Sequence, residues 1–256
     1  MTRRCLFLFI FFSWLLWFGC SHPESSIDKV ILISANAEWK VVKDVFPQES
    51  IQRSPWGEYF IKELRVGNWN EPVIFFHGGW GKVAAAGSTQ YCIDHWSPKY
   101  LINIGTCGGF EGEIKKLETV LVDKTIIYDI EEAMGDSQEA ISDYSTVLDL
   151  SWLGDQFPKA VTKTLLVSAD RDIVPGEIPK LIARYHAVAG DWETGAIAYT
   201  CVKNNQRVLI LRGVSDLVSP LKGGEAYHNN SIYFLGTDKV MKKLLADLPI
   251  WLEKCR

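Results

Sequence analysis

Residues Gly190 to Asp216 read GDWETGAIAYTCVKNNQRVLILRGVSD, with hardly a spare residue between one structural element and the next. Val188 to Gly190 closes an apolar strand. Asp191-Trp192-Glu193 stands where the chain turns into a helix over Thr194 to Lys203, whose N-terminus favours negative charge. Val208 to Val214 is a continuous apolar run with one Arg, the pattern of a strand covered on both faces in an α/β sheet. Ligands of open α/β sheets bind outside the carboxyl ends of the strands. Glu193, at a strand-to-helix corner, and Asp216, at the end of the next strand, are therefore expected to share a pocket.

The same alternation extends in both directions. Lys29 to Ser34 reads as a first buried strand, and Ala35-Asn36-Ala37-Glu38-Trp39 leads into a helix reaching about Phe46, which puts Glu38 at another corner. Tyr59 to Val66 alternates like a half-exposed strand, and Pro72 to Phe76 is a further buried one. His77-Gly78-Gly79-Trp80-Gly81-Lys82 follows, then a small-residue helix over Val83 to Trp96. Glycines in that place let backbone N–H groups approach an anion or polar ligand, which makes Gly79 a candidate contact. A tight turn explains them equally, since the spacing matches neither a Walker loop nor a dinucleotide fingerprint.

Tyr100 to Gly105 is another strand and Thr106-Cys107-Gly108-Gly109 a second small-residue corner. Glu118 to Tyr128 supplies strands, while the acidic, irregular Asp129 to Leu150 reads as a surface excursion or a subunit contact. After the strand Val161 to Ser168, Asp170-Arg171-Asp172 forms either a functional loop or a solvated ion pair. Ser231 to Leu252 closes the chain as an amphipathic helix interrupted near Gly236 and Pro249. No repeat or linker divides residues 28–256, which form one domain.

Composition narrows the partners. The 256 residues, 47% of them hydrophobic, suffice for one full core. The net charge of −4 arises from interspersed residues of both signs, without the basic stripe that nucleic-acid binding requires. The six cysteines show neither a CxxC pair nor zinc spacing, so no metal is expected, and Cys92, Cys107 and Cys201 read as small buried hydrophobes. At the amino terminus, Arg3-Arg4 and the apolar run Cys5 to Phe18 have the form of a signal peptide. Residues 1–20 are thus a signal or anchor segment and 21–27 a polar tether. Export is expected, to the periplasm or a membrane surface, with the membrane touched only through this segment. The alternatives are an uncleaved single-helix anchor and a cytoplasmic protein.

Five stretches together resemble the nucleoside phosphorylase superfamily, and within it the 5′-methylthioadenosine/S-adenosylhomocysteine nucleosidases. They are Ser34 to Glu38, Gly79 to Ala86, Asn103 to Gly109, Asp191 to Ala198 and Arg212 to Asp216. Gly19-Cys20-Ser21 separately resembles a bacterial lipoprotein processing site, with Cys20 the acylated residue. The superfamily resemblance implies a three-layer αβα sandwich around a mixed, partly barrel-like sheet, a homodimer, a purine nucleoside substrate and no cofactor. It also implies roles. Asp216 is the acid at the purine N7, oriented by Ser215; Glu193 binds the ribose hydroxyls and Glu38 positions the attacking water. Ile173 reads the base edge through its backbone, and Trp192 stands against the ribose where the nucleosidases usually have Met.

The chemistry supports three carboxylates independently. Breaking an N-glycosidic bond leaves a cationic sugar and a purine that needs a proton, demands met by an anion near one and an acid near the other. An Asp with an ordinary pKa of about 3.9 carries a proton at neutral pH only when burial raises it. The phosphorylases grip phosphate with arginines after the first strand and before the Gly-Ser/Thr-Cys-Gly corner. Those places hold Ser34 to Glu38 and Asn103 here, so water is the expected nucleophile. The alternatives are a phosphorylase of other specificity, or a non-catalytic nucleoside-binding protein in which Asp216 and Glu193 merely cap or pair with Arg212.

Overall fold

The computed structural model describes residues 27–256, so the signal segment and Cys20 lie outside the described residues. In chain order the elements are β1 (Lys29–Ile33), α1 (Asn36–Val45), β2 (Gln52–Arg53), β3 (Glu58–Val66), β4 (Trp69–His77), α2 (Lys82–Trp96), β5 (Tyr100–Phe110) and β6 (Thr119–Ile127). They continue with α3 (Ser137–Asp143), β7 (Ser145–Val147), β8 (Thr162–Ser168), α4 (Ile178–Tyr185), β9 (Ala189–Asp191), α5 (Thr194–Lys203), β10 (Arg207–Ser219), β11 (Gly223–Gly224) and α6 (Asn230–Leu252).

Strand pairing closes part of the sheet on itself. β5 runs parallel to β10, β10 antiparallel to β6, β6 parallel to β8 and β8 parallel to β9, and β9 returns antiparallel to β5. These five strands form a barrel. From β5 the sheet continues outward through β1 and β4, both parallel, to the antiparallel β3. Strands covered on both faces need apolar side chains throughout. Accordingly β1 is buried along its whole length, and Ile74, Phe75 and Phe76 of β4 are fully buried. Helix α1 packs with α6 and α2 with α5, giving the αβα layering expected.

Three boundaries differ from the sequence expectation. β5 does not end at Gly105 but carries Thr106 to Phe110 as strand, because its second half leaves β1 to pair with β9 around the barrel. β10 likewise runs through Asp216 to Ser219, with a break in register between Val214 and Asp216. Such a bulge re-aims a side chain without ending the strand. Finally, α6 is unbroken from Asn230 to Leu252. Gly236 is where the helix touches the sheet: a Cβ there would lie 2.2 Å from the carbonyl oxygen of Ser215. Glycine therefore permits a close crossing rather than interrupting the helix. The stretch Asp129 to Leu150 contains α3 and also β7, which pairs with β6.

Candidate active site

Local structure places the carboxylates one by one. Glu38, in the first turn of α1, accepts from Ala35 N at 3.0 Å, the helix's own capping contact. Its other oxygen accepts from Thr106 N at 2.6 Å and Thr106 Oγ1 at 2.8 Å. Asp191 ends β9 and caps α5, accepting from Thr194 N at 3.2 Å and from Ser168 Oγ at 2.6 Å. Glu193 accepts from Gly81 N at 3.1 Å, which ties α5 to the glycine-rich turn before α2. Asp216 accepts from Ser215 Oγ at 2.6 Å.

One cation serves three of them. The guanidinium of Arg212, on β10, is fully buried and lies 3.1 Å from Asp191, 3.7 Å from Glu38 and 3.8 Å from Glu193. Its Nε donates to Thr194 Oγ1 at 2.8 Å. Burial opposes the Arg212 charge, but the three carboxylates outweigh it and hold the group protonated. Gly105 makes the arrangement possible, since a Cβ there would sit 2.1 Å from Arg212 Nη1 and 2.8 Å from Glu38 Oε1.

Three carboxylates around one guanidinium leave negative charge in excess, and burial makes that excess costly. Glu193 responds: desolvation, then the charge of Asp191, raise its carboxyl to about 8 against the pull of Arg212. Asp216 is also raised, by burial first, while the Ser215 hydrogen bond works in the opposite direction. Cys107 shares this environment, and burial pushes its thiol far up, so it is no nucleophile.

These groups line a cavity of about 620 Å³. It brings together Glu38, Ile173, Trp192, Glu193, Ser215 and Asp216, six of the seven residues singled out from the sequence. Gly79 does not line it. This residue has φ +79° and borders a second cavity with Trp39, Lys43, Arg53 and His77, while its neighbour Trp80 faces the first. The charged triplet divides its tasks: Arg171 pairs with Glu177 at 2.7 Å, Asp170 accepts from Lys82 N at 2.6 Å, and Asp172 lines the cavity.

Several lining residues had no signal in the sequence, Tyr227 and Tyr233 among them. Tyr227 donates to Ile173 O at 2.5 Å from a loop without periodicity, and Tyr233 reaches the cavity from the first turns of α6. Burial raises both phenols. No group of three or more His, Cys, Asp and Glu residues suited to holding a metal occurs among the described residues.

Residues 52–242 match a family model described as the phosphorylase superfamily. The chain is similar to the 5'-methylthioadenosine/S-adenosylhomocysteine nucleosidase of Buchnera aphidicola subsp. Acyrthosiphon pisum (strain APS), with 26% identity over 155 residues, 56% of this chain and 67% of the relative. Against the enzyme of the same name from Bacillus cytotoxicus it is 25% identical over 192 residues, 70% of this chain and 81% of that one. Among solved structures, Helicobacter pylori 5'-methylthioadenosine/S-adenosylhomocysteine nucleosidase with butyl-thio-DADMe-Immucillin-A superimposes with a TM-score of 0.70. That match has 15% identity and covers 87% of this chain and 98% of the other.

Proposed function

The chain belongs to the phosphorylase superfamily, and from that premise we propose that it is a nucleosidase, an N-glycosyl hydrolase that releases adenine from 5′-methylthioadenosine, S-adenosylhomocysteine or a related purine nucleoside. The observation that carries this reading is the meeting of Glu38, Glu193 and Asp216 in one cavity, beside the fully buried Arg212 guanidinium that Glu38, Asp191 and Glu193 surround. Relatives that bear the nucleosidase name at 25–26% identity support it.

Each group has a task in this reaction. Asp216, raised by burial, carries the proton that the purine takes at N7 as it leaves, and Ser215 holds the carboxyl in place. Glu193 meets the ribose hydroxyls. Glu38 accepts from three donors; a carboxylate offers about four acceptor positions, so one is left to hold the attacking water. A phosphate dianion would instead enter a cavity lined by five acidic side chains and, among the described residues, no Lys or Arg, which favours hydrolysis over phosphorolysis. Gly79 acts through the turn that presents Gly81 N to Glu193, and Ile173, whose carbonyl Tyr227 holds at the cavity wall, presents its backbone to the base.

The test is adenine release from 5′-methylthioadenosine in phosphate-free buffer by wild type and by Asp216→Asn. Turnover is expected in the first and a loss of about 10²-fold or more in kcat in the second, the scale of a lost general acid. Strict dependence on added phosphate would overturn the hydrolase reading, and purine binding without turnover in either protein would leave only a binding protein.

We also infer export through residues 1–20, acylation at Cys20 and a homodimeric assembly. Support for export is the basic-then-apolar amino terminus. No helix among the described residues is long and apolar enough to cross a membrane.

A further inference from the structure

Two indole rings at the sugar end of the cavity have no task in the chemistry above. Trp80 precedes Gly81, whose N–H binds Glu193, and Trp192 precedes Glu193 itself, so both are held beside the carboxylate assigned to the ribose. Both line the cavity, with ring centroids 5.2 Å apart and planes inclined at 35°. At that separation the rings touch each other. A third ring inserted between them would need about 7 Å, two contact layers of roughly 3.5 Å each. The pair is therefore one continuous platform, not a slot.

The platform is open on the Trp80 side: Trp80 is 59% exposed, while Trp192 is half-buried. Large apolar surface left bare beside a polar site marks a place where another molecule packs. With the base at Asp216 and the hydroxyls at Glu193, the 5′ carbon is the point from which a nucleoside can extend toward these rings. Charge restricts what it can carry. Glu38, Asp172, Asp191, Glu193 and Asp216 line the cavity, and no Lys or Arg side chain does. A phosphate on the 5′ arm brings negative charge into this acidic lining without a cationic partner.

We propose that Trp80 and Trp192 together are the specificity-determining surface for an uncharged aromatic group on the 5′ position, which stacks on their outer face. The preferred substrate class is thus a purine nucleoside with a ring-bearing 5′ substituent, and nucleotides are rejected. This inference rests on the nucleosidase reading above.

The experiment compares KM and kcat for 5′-methylthioadenosine, 5′-phenylthioadenosine and adenosine 5′-monophosphate, using wild type, Trp80→Leu and Trp192→Leu. Wild type is expected to show a KM about tenfold lower for the phenylthio than for the methylthio compound, the scale of one aromatic pair. Each variant should erase most of that ratio through KM, and the nucleotide should not be cleaved. Circular dichroism melts verify folding, and because Trp80 is largely exposed, Trp80→Leu should melt with wild type. Equal KM values in wild type, a ratio unchanged in both variants, or efficient nucleotide cleavage would overturn the platform while leaving the nucleosidase intact. If no compound releases base, the nucleosidase reading falls and the platform with it.

Discussion

Arg212 illustrates how much one buried side chain can hold in place. Removing one partner of a buried charge cluster leaves uncompensated charge and costs about 3–5 kcal/mol. Arg212→Met exposes Asp191, Glu38 and Glu193 to one another. Urea denaturation at neutral pH should show a loss of that size, recovered in part at acid pH as carboxyls take up protons. Glu193 supplies a second pH effect. Its ordinary pKa of 4.5 rises to about 8 in the folded protein. Across that window the native state holds a proton that the unfolded chain has released. The associated stability is full below the unfolded value and is lost as pH rises through the folded one. Melting temperature should therefore fall between about pH 5 and pH 8, and Glu193→Gln should flatten the slope. Asp216, shifted in the same direction, adds to that slope, and His77, whose pKa burial lowers, opposes it. The residue types at these positions were legible in the sequence as acids at strand ends. A pairing of Glu193 with Arg212 was among the alternatives; that Glu38 and Asp191 share the same guanidinium was not legible, because Arg212 lies many residues from Glu38 and reads in isolation as one charge in an apolar strand.

At the scale of elements, α5 spans Thr194 to Lys203 as its sequence indicates, since a capping Asp at one end and the polar Lys203-Asn204-Asn205 at the other mark it locally. β5 and β10 overrun their expected ends for the opposite reason. Polar and small residues such as Thr106, Gly108, Ser215 and Asp216 resemble loop composition, yet each belongs to a strand whose hydrogen bonds go to a partner distant in the chain. Helix α6 is similar: Gly236 weakens a helix taken alone, but here it lets the helix cross against the backbone of Ser215. Gly236→Ala should push α6 away from β10 and shift Ser215, next to Asp216, and Tyr233 together. The expected outcome is a destabilisation of about 1–3 kcal/mol, as for other overpacked contacts, with kcat falling alongside. Thermal unfolding and base-release assays measure the two. An activity equal to wild type would mean that the crossing does not position the site.

For the whole molecule, the barrel and its flanking strands enclose two apolar clusters, one spread under α1, α2, α5 and α6 and a smaller one under α4. β1 begins at Lys29, and the Arg256 carbonyl oxygen accepts from Tyr100 Oη at the start of β5, so the two ends of the described residues lie at the amino-terminal edge of these parallel strands. Glu38 and Thr106 stand at the opposite, carboxyl-terminal edge. Cys20→Ala should move the protein from the membrane fraction to the soluble one in cell fractionation, with activity per molecule unchanged; an unchanged distribution would argue against acylation. The sequence by itself determined the α/β class, most of the order of strands and helices, and three of the acids that meet in the cavity, Glu38, Glu193 and Asp216. These follow from local periodicity and from residue types that few other roles require. Only the tertiary structure decided that β9 closes a barrel onto β5, that three carboxylates share Arg212, and that Trp80, Tyr227 and Tyr233 face the same cavity. Such contacts join positions far apart in the chain, and their energies depend on burial, which no local pattern encodes.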